Sequence, residues 1–249
     1  MRHLTTLFDL TPDEARAILA RATELKAADA KGERSSVLQN CVLTQIYDKP
    51  SLRTRLSFDA AMVHLGGESA FFTAKDAGLY GRESLADVAR VVSGISDAVV
   101  LRTFSHETIE EFSKWCEVPV INGLSDDYHP CQALTDYLTV QEVFGELSSQ
   151  HMVFVGDGNN VAASLAILSS MLGLPMTLAC PSGYELDEAV LAEIRKRYPE
   201  TKFTQTNDAK AAVKDADVVY TDVWASMGQE AEAQERTTAF ADFQVNAEL

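Results

Sequence analysis

Val42-Leu43-Thr44-Gln45-Ile46-Tyr47-Asp48-Lys49-Pro50-Ser51-Leu52-Arg53-Thr54-Arg55 runs from an apolar stretch through a proline into a serine able to cap a helix. Val42–Tyr47 reads as a buried strand and the run beginning near Leu56 as a helix, so Lys49–Arg55 occupies a strand-to-helix turn. Pro50 cannot continue a strand ladder, Ser51 can cap, and the N–H groups of the first helical turn have no partner within the helix. A helix start of this kind binds anions, and Arg53 and Arg55 add two permanent positive charges. In a chain of net charge −16, such a concentration of donors points to a specific phosphorylated ligand rather than a general basic surface.

The same strand–helix alternation extends in both directions. Strand candidates at Ser69–Phe72, Ala98–Leu101 and Val118–Ile121 are separated by helical patterns at Arg55–Leu65, Ser84–Gly94 and His106–Glu117. Thr11-Pro12-Asp13-Glu14 announces an opening amphipathic helix, with Ala15, Ile18, Leu19, Ala22 and Leu25 on one face. A helix from about Cys131 to Phe144 ends in the polar run Gly145–Gln150, after which a second series begins. Its strands are Met152–Gly156, Met176–Ala179, Lys202–Thr206 and Val218–Asp222, and its helices Val161–Leu172, Asp187–Arg197 and Ala209–Lys214. The expectation is an α/β protein of two doubly wound parallel-sheet domains, residues 1–145 and 146–249.

Composition narrows the function classes. With 249 residues, 46% of them hydrophobic, the chain can bury a real core. Its acidity, with a pI near 4.6, argues against nucleic-acid partners and against adsorption to an anionic membrane. Cys41, Cys116, Cys131 and Cys180 contain no Cys-x-x-Cys pair, so neither a zinc site nor a disulfide framework is indicated. The first residues lack the apolar stretch of a signal peptide, and a cytoplasmic location is expected. Gly158–Tyr184 is free of charge, but Ser169, Ser170, Gly173 and Pro175 divide it into a buried helix and a buried strand rather than a membrane span.

Four further segments could carry chemistry. Asp127-Tyr128-His129-Pro130-Cys131-Gln132 follows a strand and an Asn122-Gly123 turn, where ligand-binding loops of open α/β sheets collect. His129 and Gln132 could hydrogen-bond a carbonyl oxygen, although a lone loop histidine is more often simply satisfied. Arg102, at a strand's carboxyl end, could enter the same crevice as Arg53 or pair with one of the many carboxylates. Gly156-Asp157-Gly158-Asn159-Asn160-Val161 resembles a dinucleotide fingerprint, but its third glycine position is Val161 and no acidic residue follows the next strand. A nicotinamide oxidoreductase is therefore a remote reading, while Asn159 or Asn160 could serve a polar small molecule. Asp222, also at a strand end, favours a cationic ligand group, with a structural Asp-turn as the alternative.

Together these motifs resemble the aspartate/ornithine carbamoyltransferase family along essentially the whole chain. Ser51-Leu52-Arg53-Thr54-Arg55 is similar to the family's Ser-Thr-Arg-Thr-Arg loop for carbamoyl phosphate, with Leu52 in place of threonine. His129-Pro130-Cys131-Gln132 is similar to its His-Pro-x-Gln loop. Gly156-Asp157-Gly158-Asn159-Asn160 and Asp222-x-x-x-Ser226-Met227-Gly228 resemble its ornithine-binding segments.

The resemblance implies an active site between the two domains, with no metal or cofactor. Ser51, Leu52, Arg53 and Thr54 would hold the phosphate, and Arg102, His129 and Gln132, with Pro130 and Cys131 in the same loop, would face and polarise the carbamoyl group. Asn160, Asp222, Ser226 and Met227 would hold L-ornithine, and the Asp222 carboxylate would repel aspartate. Related amines (an acylated ornithine, putrescine or aspartate) and a non-catalytic carbamoyl phosphate-binding module are the alternatives. The family is trimeric, and Ala77–Ser84 corresponds to a loop that reaches a neighbouring subunit, so a homotrimer or a multiple of one is expected. The resemblance also implies that the family continues beyond Leu249 into a His-Cys-Leu-Pro loop and closing helices. On that expectation this chain is incomplete, keeps its phosphate-site geometry, turns over poorly and exposes an apolar face.

Overall fold

Val42–Tyr47 forms β1, and its alternating side chains enter two separate cores, as a parallel strand covered by helices on both sides requires. Leu43 and Tyr47 pack with Val100 and with Met62 from α2 (Leu52–His64). Ile46, on the opposite face, packs with Val99 and Leu101, with Val88 and Ala89 of α3 (Leu85–Ser93), and with Ile109 and Phe112 of α4 (His106–Trp115). The computed structural model describes residues 2–81, 83–225 and 230–249. They divide into two compact units, Met1–Leu134 and Thr135–Leu249, each built on a four-stranded parallel sheet.

In the first unit β2 (Glu68–Thr73), β3 (Ala98–Arg102) and β4 (Val120–Leu124) complete a sheet of order β2-β1-β3-β4. Crossovers leave β1 toward β2 and return past it to β3, so the topological switch point lies between β1 and β3. The opening helix α1 (Pro12–Ala30) carries the expected capping box between Thr11 and Glu14. Its buried stripe is narrower than expected: Ala15 and Leu19 are inside, whereas Ile18 is exposed.

The last strand corrects the sequence reading. Asn122-Gly123 is not a turn after the strand but lies inside β4, which begins two residues later than expected. Its register with β3 shifts there, Leu101 facing Asn122 and Arg102 facing Leu124, so Gly123 is the extra residue of a bulge. A Cβ on Gly123 would approach Val100 Cγ1 to 2.9 Å, and Asn122 Oδ1 accepts from Leu124 N at 2.9 Å to satisfy the bulged backbone. Two glycine-friendly turn residues are thus consumed by a bulge. The strand's outer edge is also occupied, since Leu4 exchanges backbone bonds with Val120 and Asn122, both at 2.8 Å.

The helix α5 (Pro130–Phe144) leads to β5 (Met152–Val155) and α6 (Asn160–Leu172). In α6 every residue from Val161 to Leu172 is buried, so the charge-free segment is a core helix. It is closed by Gly173 in the left-handed conformation, where a glycine carries no Cβ penalty. Then come β6 (Met176–Ala179), α7 (Glu188–Arg197), β7 (Phe203–Thr206), α8 (Ala209–Val213) and β8 (Val218–Thr221). The order β7-β6-β5-β8 places this sheet's switch point between β5 and β8. Beyond β8 the chain adds α9 (Ala233–Ala239), followed by Phe240 and Phe243, which pack on Val153, Val155 and Ala179. No sequence periodicity announces α9.

Candidate functional site

Three loops meet at the carboxyl ends of β1, β3 and β4, and Arg102 joins them. Its side chain is 5% exposed; Nε donates to Lys49 O at 3.0 Å, and Nη1 to Gly123 O at 3.3 Å and to Thr54 Oγ1 at 3.5 Å. Asp48 N in turn donates to Arg102 O at 2.8 Å. Lys49, itself buried, reaches Asp126 of the β4–α5 loop at 2.8 Å. Ser51 caps α2 as expected, accepting from Thr54 N at 3.3 Å and donating to Thr54 Oγ1 at 2.9 Å. The first N–H groups of α2, at Leu52 and Arg53, have no acceptor within the helix and are free to serve an anion.

Among the described residues neither Arg102 nor Arg53 forms an ion pair with a carboxylate. Arg55 does: it lies 3.7 Å from Asp59 and its guanidinium sits 3.7 Å from the centre of the Phe71 ring. Of these two arginines, both in the first turn of α2, Arg53 is therefore the one available to a ligand. Burial lowers the Arg102 pKa, and the Arg53 charge adds to that effect, so the site holds repelling cations that an anion would relieve.

His129 lies within the field of Arg102. Burial, then that charge, brings its imidazole down to about 4, so at neutral pH the ring is uncharged and can donate one N–H to a carbonyl oxygen. Ser125 shapes the loop before it, with Ser125 N donating to Tyr128 O at 2.9 Å and Tyr128 N donating to Ser125 Oγ at 3.2 Å. His106, buried on α4, supports Ser125 Oγ through Nδ1 at 2.9 Å. Pro130, Cys131 and Gln132 form the first turn of α5. The Cys131 thiol is turned to Asn122 O at 3.7 Å, and burial pushes it up to about 11, so it is not a thiolate.

The second unit gathers its own residues at its switch point. Asn159 caps α6, its Oδ1 accepting from Val161 N and Ala162 N at 3.0 and 3.1 Å, while Nδ2 donates to Asp222 Oδ2 at 3.4 Å. Asp222 Oδ1 also accepts from Val223 N at 2.7 Å, which is the local turn the sequence allowed as an alternative. Asn160 begins α6 beside the cap. Ser226 and Met227 lie outside the described residues. A Cβ on Gly158 would come within 2.6 Å of the Glu185 carbonyl, so close packing by itself requires a glycine in this loop.

Ser51, Leu52, Arg53, Thr54, Arg102 and His129 are thus assembled at the ends of one sheet, and Asn160 and Asp222 at the end of the other. Sequence reasoning misses the supports: Asp126 under Lys49, Ser125 and His106 behind the His129 loop, and Arg236. None of them belongs to a local motif, and each acquires its role through a long-range contact. Among the described residues no group of three or more His, Cys, Asp and Glu is placed to hold a metal ion, and no helix is long and apolar enough to cross a membrane.

Residues 2–142 match the carbamoyl-P binding domain of aspartate/ornithine carbamoyltransferases, and residues 148–249 match the Asp/Orn binding domain. The chain is 48% identical to the ornithine carbamoyltransferase of Anoxybacillus flavithermus, over 98% of this chain and 78% of that one. It is 47% identical to the anabolic ornithine carbamoyltransferase of Pyrococcus furiosus, over the whole of this chain and 79% of that protein. A solved structure of ornithine carbamoyltransferase from Pyrococcus furiosus superposes with a TM-score of 0.95 at 47% identity, covering 99% of this chain and 80% of that one. With both halves matched in order, and the phosphate-type loop and the Asp222 segment each at the switch point of its own sheet, the chain belongs to the aspartate/ornithine carbamoyltransferase family.

Proposed function

We propose that the chain transfers the carbamoyl group of carbamoyl phosphate to the side-chain amine of L-ornithine, releasing L-citrulline and phosphate in arginine biosynthesis. The observation that carries this reading is Arg102, a buried cation with no carboxylate partner among the described residues, beside Arg53 and the open first turn of α2. Ser51, Arg53, Thr54 and the Leu52 N–H take the phosphate, while Arg102, His129 and Gln132 face the carbamoyl oxygen. The neutral amine of ornithine attacks the carbamoyl carbon, and the C–N bond forms as negative charge moves onto that oxygen. Donors already in place stabilise it, and the bond to the phosphate oxygen then breaks, with the amine's surplus proton leaving on phosphate. Asn160, Asp222, Ser226 and Met227 hold the amino-acid end, with Asp222 opposite its ammonium. The names of the related proteins support ornithine as the acceptor, and the Asp222 carboxylate disfavours aspartate there.

In this proposal residues 1–145 bind carbamoyl phosphate, residues 146–249 bind ornithine, and the enzyme works in the cytoplasm as a homotrimer or a multiple of one. Exposed apolar side chains support self-association: Leu56 and Val63 share one face of α2, and Phe72 is exposed on the edge strand β2. The test is calorimetry with carbamoyl phosphate, a citrulline assay with ornithine, aspartate, putrescine and an acylated ornithine in turn, and sedimentation of the unliganded chain. Citrulline formed from ornithine alone is expected. Carbamoyl phosphate binding with no transfer to any amine would leave a binding module, and failure to bind it would refute both readings.

A further inference from the structure

Arg236 takes no part in the chemistry proposed above, yet it is 7% exposed and heavily bonded. Its Nη1 donates to Asp157 Oδ2 at 2.6 Å and to Trp224 O at 3.0 Å, and its Nε donates to Glu232 Oε2 at 3.0 Å. The guanidinium also lies 5.1 Å from the centre of the Tyr184 ring. Burial works against the charge, but the bonds to Asp157 and Glu232 more than offset it and raise the pKa. Arg236 is therefore a fixed cation in a low-dielectric setting.

Two of those bonds end on the loops that carry the acceptor-side residues. Asp157 precedes Asn159 by two positions in the β5–α6 loop, and Trp224 follows Asp222 by two positions after β8. The same loops are joined directly by Asn159 Nδ2 to Asp222 Oδ2 at 3.4 Å, and at their base by Thr221 Oγ1 to Val155 O at 2.9 Å. The Asn159–Asp222 contact is long and cannot by itself set the spacing of the loops. The Arg236 contacts to Asp157 and Trp224 are short and charge-assisted, and the Arg236 and Asp157 side chains are only 9% and 14% exposed, so they hold that spacing.

We infer that Arg236 is a positioning residue for the acceptor amino acid, clamping Asp157 and Trp224 so that the Asp222 carboxylate and Asn160, which follows the Asn159 cap, stand at a fixed separation. This rests on the ornithine reading. An arginine is needed because a planar fork can reach Asp157, Trp224 O and Glu232 together, whereas a lysine ammonium on a flexible stem cannot hold all three in the same geometry.

The test uses the full chain with Arg236→Lys and, separately, Asp157→Asn. Carbamoyl transfer is measured against ornithine concentration, and two titrations follow. One uses L-norvaline, which keeps the amino-acid end and the propyl chain but lacks the reacting amine; the other uses carbamoyl phosphate. Arg236→Lys should raise the ornithine KM roughly tenfold or more, as displaced contacts do, while kcat changes less than about threefold. L-norvaline affinity should fall in parallel, and carbamoyl phosphate affinity should be unchanged, since its proposed residues lie in the first unit. Asp157→Asn should give a smaller effect in the same direction, and it decides the matter if Arg236→Lys does not fold. Unchanged ornithine KM and L-norvaline affinity, or an equal loss of carbamoyl phosphate affinity, would overturn the inference while leaving the transferase reading intact. A parent chain that transfers nothing to ornithine and binds no L-norvaline would instead overturn the reading on which it rests.

Discussion

Replacing Arg102 with methionine should leave the unliganded protein about as stable as the parent while weakening its affinity for carbamoyl phosphate roughly 30-fold or more. The parent side chain makes two hydrogen bonds of good length, to Lys49 O and Gly123 O, and a marginal third to Thr54. Bonds from a charged donor are each worth about 1.5–3 kcal/mol, so roughly 3–6 kcal/mol is lost. Against this stand the desolvation of a cation, which is several kcal/mol when no carboxylate compensates, and the burial of a methionine, about 1.5–3 kcal/mol. These terms nearly cancel, and the change should stay within about 2 kcal/mol. The liganded state should differ sharply. Carbamoyl phosphate at a hundred times its Kd adds about 2.7 kcal/mol to the parent's stability. Truncating one partner of a desolvated charge pair costs about 2 kcal/mol or more, roughly 30-fold in affinity, so the same concentration adds less than about 1 kcal/mol to Arg102→Met. Urea unfolding followed by circular dichroism, with and without carbamoyl phosphate, measures both numbers. A loss above about 4 kcal/mol without ligand would mean that Arg102 is held for structure, and a full ligand-induced gain in the variant would mean that it does not face the anion.

Gly158→Ala should destabilise the second unit by about 1–3 kcal/mol, because the new Cβ meets the Glu185 and Leu186 backbone rather than a movable side chain; an unchanged urea midpoint would show that the loop relaxes freely. His129→Gln should reduce acid lability. With its pKa brought from 6.5 to about 4, His129 favours folding fully above pH 6.5 and loses that contribution between about pH 6.5 and 4, up to about 3 kcal/mol. His106 and His3 are shifted the same way and remain in both proteins, so the diagnostic quantity is the difference in urea midpoint between parent and variant from pH 7 to pH 5, and a constant difference would contradict the assignment. Leu52→Thr, at a position 75% exposed, should alter stability by less than about 0.5 kcal/mol and strengthen carbamoyl phosphate binding by no more than one hydrogen bond, about 0.5–1.5 kcal/mol; a larger gain in calorimetry would show that the side chain, not the backbone N–H, governs this position. Leu56→Glu with Val63→Glu should dissociate any oligomer in sedimentation, and an unaffected assembly would remove this face of α2 from the interface.

The fold was legible where hydrophobic periodicity and turn chemistry agreed. β1 and β6 fall at their predicted limits, and most other elements lie within a residue or two, because buried parallel strands are short apolar runs with polar ends. Asn122-Gly123 misleads for a definite reason: a bulge recruits the same conformationally permissive residues as a turn, and only the partner strand's register tells them apart. The Ser51 cap was legible because capping, proline and charge act within a few residues of one another, but α2 begins directly at Leu52, so residues 52–55, read as a turn before a helix near Leu56, are its first turn. The pairing of Lys49 with Asp126, and of His106 with Ser125, was not, since each joins loops far apart in sequence through a contact that no local pattern encodes.

Arg102 and Arg236 show where sequence reasoning must give way to structure. Each is a single arginine near a strand end or a short helix, and on a chain with 37 acidic residues either could have been a satisfied ion pair. Both turn out to be buried, so burial alone does not separate them. Their partners do. Arg236 is compensated by Asp157 and Glu232, so its charge is already spoken for and its influence passes through the loops it holds. Arg102 meets only carbonyl and hydroxyl oxygens, and after burial the charge that lowers its pKa is another cation, Arg53. A buried positive charge held only by neutral oxygens has its desolvation offset by hydrogen bonds but keeps its charge uncompensated, and so remains able to attract an anion. In an acidic protein, where carboxylates are abundant, keeping them away from one arginine is itself the mark of a ligand site.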